Sequence, residues 1–213
     1  MLKRLRVVAV LIVLVACGRH AAPDYFPLNT GQERTMRVYT QLVIGQDTTE
    51  TTEVKVVERV RGRADLPGLG KCWVVESPRD SSRSMFSYFK KQDDGVVQLV
   101  PVSKTKPPVE VLFLSLPLDK GSKWYDTKLQ REVTEVVARE TVVVAAGTFP
   151  DCYEVVSKST RTDWTLRQWL APGVGPVKWE NLASWIRKDG VKCSMDKRAE
   201  LVSLRIPQKP ATK

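Results

Sequence analysis

Few residues in this chain carry side chains able to do covalent or acid–base chemistry. Cys72, Cys152 and Cys193 are the thiols of the main body, and His20 is the single histidine. A cysteine nucleophile needs a base beside it, and a histidine in a short leading linker has no rigid pocket to act from. Metal-ligand spacing is absent: there is no Cys-x-x-Cys, no histidine pair and no calcium loop. Gly68-Leu69-Gly70 is not followed by the Lys-Ser/Thr of a phosphate loop. Glu132, Glu135, Glu140 and Asp163 could in principle supply the two carboxylates of a glycosidase. Charged residues on strands are mostly solvated. No catalytic residue, metal or cofactor is therefore expected, and a hydrolase is the last of the alternatives.

The six tryptophans are the other chemically distinctive set. Aromatic residues on strands mostly fill cores or cover sheet faces. The sharper alternative is that Trp164, Trp169, Trp179 and Trp185 line an apolar ligand face, a groove on a curved sheet that takes a lipid or polymer.

The N-terminus has an address. Lys3, Arg4 and Arg6 precede an apolar run from Val7 to Ala16, and Cys17 follows. Ten residues at about 1.5 Å rise cover roughly 15 Å, half of a bilayer core, so the run is too short to span. Charge, apolar run, small residue and cysteine fall in the order of a signal peptide, and Leu14-Val15-Ala16-Cys17 resembles a bacterial lipobox. The expected division is a signal peptide over 1–16, a lipidated tether over 17–25, a β domain over 26–206 and a basic tail over 207–213. Two or more acyl chains on Cys17 would anchor stably. By resemblance to enterobacterial lipoproteins, Gly18 after the cysteine favours the outer membrane, so the expected place is the cell envelope, facing the periplasm or the cell surface.

Removing residues 1–16 takes away Lys3, Arg4 and Arg6 and lowers the formal charge from +10 to +7 over the remaining 197 residues. That length suits one domain with a real core. The basic residues are scattered, and no nucleic-acid motif accompanies them, so nucleic acid is not an expected partner. The membrane, through the lipid, is; another envelope protein or a lipid could be.

Period-two alternation runs through the chain. Val38, Thr40, Leu42 and Ile44 alternate with Tyr39, Gln41 and Val43, and further strands are expected over Val54–Arg61, Cys72–Glu76, Met85–Lys91, Val96–Ser103 and Val109–Leu114. Glu132–Ala145, Cys152–Thr160, Thr165–Leu170, Val177–Asn181, Ala183–Lys188 and Glu200–Ile206 follow. Ala64–Gly70 reads as a loop, Asp93-Asp94-Gly95 as a hairpin turn, Gly147-Thr148-Phe149-Pro150 as a tight reversal and Pro172–Pro176 as a stiff turn. One short helix is expected near Asp119–Lys123.

The two halves also match. Phe26-Pro27-Leu28 with Gly31 matches Leu116-Pro117-Leu118 with Gly121, and Thr52-Glu53-Val54 matches Thr134-Glu135-Val136. Cys72-Trp73-Val74-Val75 matches Cys152-Tyr153-Glu154-Val155; Tyr88-Phe89 and Gly95 match Trp169-Leu170 and Gly175. Order and spacing are both kept, which suggests two copies of one β unit over about 26–103 and 116–181. The expected fold is mainly β: a single, strongly curved antiparallel sheet or half-barrel built from two similar units, with few or no helices. Cys72 and Cys152, equivalent in the copies, either form a disulfide or serve as small core residues.

Tyr25-Phe26-Pro27-Leu28 with Gly31, Leu116-Pro117-Leu118 with Gly121 and Trp124, Ala146-Gly147-Thr148-Phe149 with Cys152, and Ala171–Lys178 resemble a large group of uncharacterised bacterial lipoproteins. Its members look like relatives of the periplasmic β-sheet folds of lipoprotein carriers and receptors. The likeness extends to about Trp179; at Arg34 and Met36 aromatic residues would be usual. It implies no catalytic residue. The expected function is that of a membrane-anchored, non-catalytic binding or structural module of the envelope; the alternatives are a carrier or receptor for an apolar ligand and, last, an envelope hydrolase.

Overall fold

The computed structural model describes residues 23–46, 48–67, 70–78, 83–101, 107–125 and 132–207. The signal peptide, Cys17, His20 and the tail after Pro207 lie outside them.

Twelve strands run in chain order: β1 (Glu33–Ile44), β2 (Thr48–Leu66), β3 (Gly70–Pro78), β4 (Ser84–Gln92), β5 (Gly95–Val100), β6 (Val109–Ser115), β7 (Lys123–Tyr125), β8 (Glu132–Val144), β9 (Gly147–Ser159), β10 (Asp163–Ala171), β11 (Gly175–Ile186) and β12 (Lys192–Arg205). No helix occurs among the described residues; the one expected near Asp119 is a turn leading into β7. Ala64–Leu66, read as loop, continues β2, and the break expected at Leu182 is absent from the continuous β11. The β8–β9 reversal is Ala145-Ala146; Gly147 already pairs with Val144.

All twelve strands form one antiparallel sheet in the order β6-β5-β4-β3-β2-β1-β12-β11-β10-β9-β8-β7. Two six-strand meanders thus meet at the β1–β12 pair, and β6 and β7 are left as edges. Leu114 of β6 and Trp124 of β7 nevertheless share one core with Val75, Val136 and Leu170. Residues from opposite edges can meet only if the sheet curls almost into a barrel. A long strand row twists in one hand, and curling hides its apolar face.

The segment over 25–28, ahead of β1, plugs this curl. Tyr25, Phe26 and Leu28 are buried in the same core; the Phe26 ring lies 5.1 Å from both Phe89 and Phe113, and Tyr25 lies 5.1 Å from Tyr153. Full burial of each such ring contributes roughly 1.5–3 kcal/mol. Tyr25, the last residue of the expected 17–25 segment, is thus part of the packed core.

The duplication is visible strand by strand, each matched segment recurring six strands later. Gly31 N donates to Val60 O at 2.7 Å, and Val60 N donates to Gln32 O at 2.9 Å; Gly121 N donates to Val136 O at 2.8 Å, and Val136 N to Ser122 O at 3.0 Å. A register shift follows Val60 and Val136 alike. Arg63 stands 4.9 Å over the Trp73 ring, and Arg139 stands 5.6 Å over Tyr153. One expected match is corrected: the partner of Val136 is Val60, not Val54. Val54 is half exposed and pairs with Val38. The local Thr-Glu-Val likeness carries no depth, whereas the docked glycine turn fixes equivalence.

The copies differ in position. β7 is an edge, while β1 is paired on both sides. The departure at Arg34 falls on that central strand, where Arg34 is buried and ion-paired to Glu58 at 3.3 Å.

Candidate functional site: a cleft on the inner face of the curl

Alternation determines what lies above the plug. Leu170, Val155 and Val136 belong to the plugged core. Steps of two away from the plug, backward along β10 and β8 and forward along antiparallel β9, place Gln168, Leu166 and Trp164 of β10, Ser157 of β9, and Thr134 and Glu132 of β8 on the same face. Across the curl, Gln98 and Val100 of β5 and Val111, Leu112 and Phe113 of β6 face them. These residues enclose a cleft of about 330 Å³. Strands far apart in the sheet order meet there only because the sheet is curled.

The cleft is amphipathic. Trp164, Leu166, Phe113 and the β5–β6 aliphatics supply apolar wall, while two glutamine amides, the Thr134 and Ser157 hydroxyls and the Glu132 carboxylate supply polar groups. The Thr134 and Ser157 hydroxyls meet at 2.9 Å and are buried. No lysine or arginine lines the cleft among the described residues.

The lining reaches one end of the curl. Glu132 begins β8, Trp164 lies at the start of β10 and Val100 ends β5. The N-terminal segment enters at the opposite rim, where Asp24 O accepts from Gly173 N at 2.8 Å in the β10–β11 turn and its carboxylate meets Lys91 Nζ at 2.5 Å. From Trp164 to Ala171 along β10 is roughly 24 Å at strand rise.

The four tryptophans expected to share a ligand face do not. Trp164 lines the cleft. Trp179 pairs with Gln168 and Ala183 pairs with Trp164, so Trp179 and Trp185 share that face, but neither reaches the cleft; Trp185 is 42% exposed. Trp169, an odd number of residues from Trp164 on one strand, points the other way. It is buried in a second core, donates Nε1–H to Glu140 at 2.6 Å and carries Lys178 at 4.2 Å over its ring. Odd spacing on one strand was the signal that separates the two residues.

Cys72 and Cys152 take the same place in β3 and β9 but do not bridge: Cys72, Cys152 and Cys193 are all free and buried. Six strands separate equivalent positions in the curl, so equivalence does not bring them together. Burial pushes the Cys152 thiol up to about 11 and raises that of Cys72. The carboxylates also fail to converge: Glu135 pairs with Lys123 at 3.1 Å, Asp163 accepts from Ser184, Glu140 accepts from Trp169, and Glu132 stands at the cleft. No His, Cys, Asp or Glu cluster able to hold a metal occurs among the described residues.

Sequence reading did not single out Gln98, Phe113, Ser157 or Gln168, and named Thr134 only as part of the Thr-Glu-Val match. The available signal was a period-two face that turns polar one step beyond Val136, Val155 and Leu170.

No protein-family model and no curated protein matches the chain. Two solved structures are similar to it. One is a Bacteroides fragilis protein described as exported, with a YmcC-like fold, at 18% identity and a TM-score of 0.46, covering 86% of this chain and 99% of that one. The other is a DUF1329 family protein from Desulfovibrio piger, at 10% identity and a TM-score of 0.24, covering 87% and 89%. Neither likeness carries a residue or a role across to this chain.

Proposed function

We propose that this protein is a lipid-anchored, non-catalytic binding module of the cell envelope whose curled sheet takes an amphiphilic ligand. The observation that carries the reading is the cleft of about 330 Å³, which falls within the usual range of small-molecule sites. An acylated Cys17 supplies the anchor, with outer-membrane sorting favoured by Gly18. From Cys17 to Asp24 the chain can reach at most about 25 Å. The rim bearing Asp24 then stays near the membrane, and the Trp164 end of the cleft lies away from it. A ligand is thus received from the periplasmic side rather than drawn from the anchoring leaflet.

The experiment has two arms. Cys17→Ala should move the domain from the membrane to the soluble fraction and abolish uptake of labelled fatty acid; a variant that stays fully membrane-bound, beside a wild type that takes up no label, removes the anchor. Native mass spectrometry of the released domain should show a bound small molecule that Trp164→Ala loses. A domain with no adduct that also binds no acyl probe removes the ligand.

A second reading, docking of another envelope protein, is favoured by Ile186 and Trp185, 74% and 42% exposed at the far end of β11. Cross-linking from that strand end, lost on Ile186→Lys, would distinguish it.

A further inference from the structure

We infer that a split between β3 and β4, at the Asp24 end of the sheet, is a binding site for a phosphate-bearing anion. The site lies apart from the inner cleft and stands without it; only a membrane source for the anion rests on the Cys17 anchor proposed above.

The first observation is the split itself. β3 and β4 pair from Pro78 and Ser84 to Trp73 and Phe89, and no further. β3 stays paired with β2 as far as Gly70, and β4 stays paired with β5 as far as Gln92. The two hairpins therefore part beyond Trp73 and Phe89, and a pocket of about 230 Å³ lies there. Arg63, Lys71, Lys90 and Lys91 line it, with Trp73 and Gln92, and the described lining holds no carboxylate.

The second observation concerns charge balance. Glu110 pairs with Lys90 at 2.6 Å, and Asp24 pairs with Lys91 at 2.5 Å. Asp65 stands opposite Lys71 on β2, and Asp93 and Asp94 form the turn beyond Gln92. Among the described residues, neither Arg63 nor Lys71 has a carboxylate within ion-pair distance. Arg63 instead lies 4.9 Å over the Trp73 ring. The undescribed residues that adjoin this end in the chain, 17–22, 68–69 and 208–213, contain no Asp or Glu. Two unpaired cations in one pocket repel each other and focus a field that attracts an anion.

The third observation comes from the second copy, where the same split is filled. β9 and β10 also part beyond Tyr153 and Leu170, the pair that matches Trp73 and Phe89. Arg139 stands over Tyr153 as Arg63 stands over Trp73, but Arg139 pairs with Asp151 at 3.0 Å. Asp151 precedes Cys152, and its counterpart ahead of Cys72 is Lys71. Tyr25 packs on Tyr153 and donates its hydroxyl to Asp151 O at 3.5 Å; ahead of Leu116 the matching residue is Ser115, which has no ring. The first copy thus keeps the arginine on its aromatic platform and puts a cation where the second has a carboxylate. An anion from outside completes the arrangement.

Phosphate suits this set better than a single carboxylate. The guanidinium fork binds two of its oxygens, and the Lys71 ammonium binds as a point charge. Through Asp24, which bonds Lys91, the pocket also stays within the tether's reach of Cys17. Basic residues there meet the anionic head groups of a membrane surface.

The test uses the mature domain carrying Cys17→Ala, so that no acyl anchor contributes. The probes are inorganic phosphate, and vesicles of phosphatidylcholine with and without phosphatidylglycerol. Phosphate binding is read by tryptophan fluorescence, with Trp73→Phe assigning the signal, and vesicle binding by co-sedimentation. The pocket variant is Arg63→Gln with Lys71→Gln, both exposed positions. Lys188→Gln with Lys192→Gln removes the same charge at the other end of the sheet. The expected result is saturable phosphate binding that the pocket variant loses. Its binding to phosphatidylglycerol vesicles should weaken about thirtyfold, the loss of two basic residues at an anionic surface, while the far-end pair binds as the parent does. Lys71→Asp, which copies Asp151, should abolish phosphate binding without lowering the thermal midpoint. Phosphate binding that survives both pocket changes overturns the site. Equal loss in the far-end pair reduces the effect to net charge and also overturns it. Phosphate binding lost in the pocket variant, with vesicle binding unaffected, upholds the site and overturns a lipid as its source. No response to either probe overturns the inference and leaves the anchor and the inner cleft to their own experiments.

Discussion

Gly121 N donates to Val136 O at 2.8 Å in the same way that Gly31 N donates to Val60 O at 2.7 Å, so one glycine turn is docked twice on the sheet. Both glycines have positive φ, +78° at Gly31 and +88° at Gly121, where a side chain is strained. A Cβ at Gly121 meets nothing within 4 Å; at Gly31 it would lie 2.9 Å from Pro207 Cγ. Gly121→Ala should therefore cost about 1–2 kcal/mol from backbone strain alone. Gly31→Ala should cost more, because Pro207 must also move. Urea unfolding of the two variants checks the order.

Val136 and Val54 give a second pair of variants. Val136 is 0% exposed and Val54 is 51% exposed. Val136→Ala should lose roughly 2 kcal/mol through transfer and cavity effects, and Val54→Ala should stay within about 0.5 kcal/mol of wild type. Equal losses would restore the equivalence that the Thr-Glu-Val likeness suggested.

The thiols should be silent in the folded chain. The thiolate is the reactive form, and burial pushes the Cys152 thiol up to about 11 and raises Cys72. At pH 8 about one Cys152 in a thousand would be ionised, before access is counted. Iodoacetamide should label none of Cys72, Cys152 and Cys193 in the native Cys17→Ala domain, and all three after denaturation. Recovery of a Cys72–Cys152 linked peptide from the native protein would contradict their separation.

Glu154 gives a pH dependence with a definite sign. Burial raises its pKa; Glu140 and Glu180 add to that, and Arg167, at 3.5 Å, opposes it. A carboxyl whose folded pKa lies above its unfolded value binds protons more readily when folded. Its ionisation therefore destabilises the fold at neutral pH, and that penalty fades as pH falls through the folded value. Glu154→Gln should be more stable than wild type at pH 7.5, with the gap closing toward pH 4.5. The Arg167 pair it removes is long, at 3.5 Å, and its Arg167 end is half exposed, so its loss offsets only part of that gain. Glu76, held low by the Ser84 hydrogen bond, acts in the opposite sense in both proteins and cancels in the difference.

Much of the fold was legible along the chain. Val38, Thr40, Leu42 and Ile44 had to form a strand, because only a period of two puts them on one face. The Leu-x-x-Gly turns at Gly31 and Gly121 declared two copies because positive φ at a docked turn tolerates little else. The lipobox likeness at Cys17 also belongs to the sequence, since it is read as a linear signal. Other features needed the closed curl. Alternation says which residues share a face but not how deep they lie, so Val54 and Val136 looked alike and are not. It also cannot say which strands meet across a curved sheet. Gln98 and Phe113 come to face Thr134, Ser157 and Trp164 only through the order of all twelve strands and the Phe26 plug beneath them. Equivalence left open whether Cys72 and Cys152 bridge or fill the core; they fill it, because rotation by six strands around the curl separates what sequence alignment superimposes.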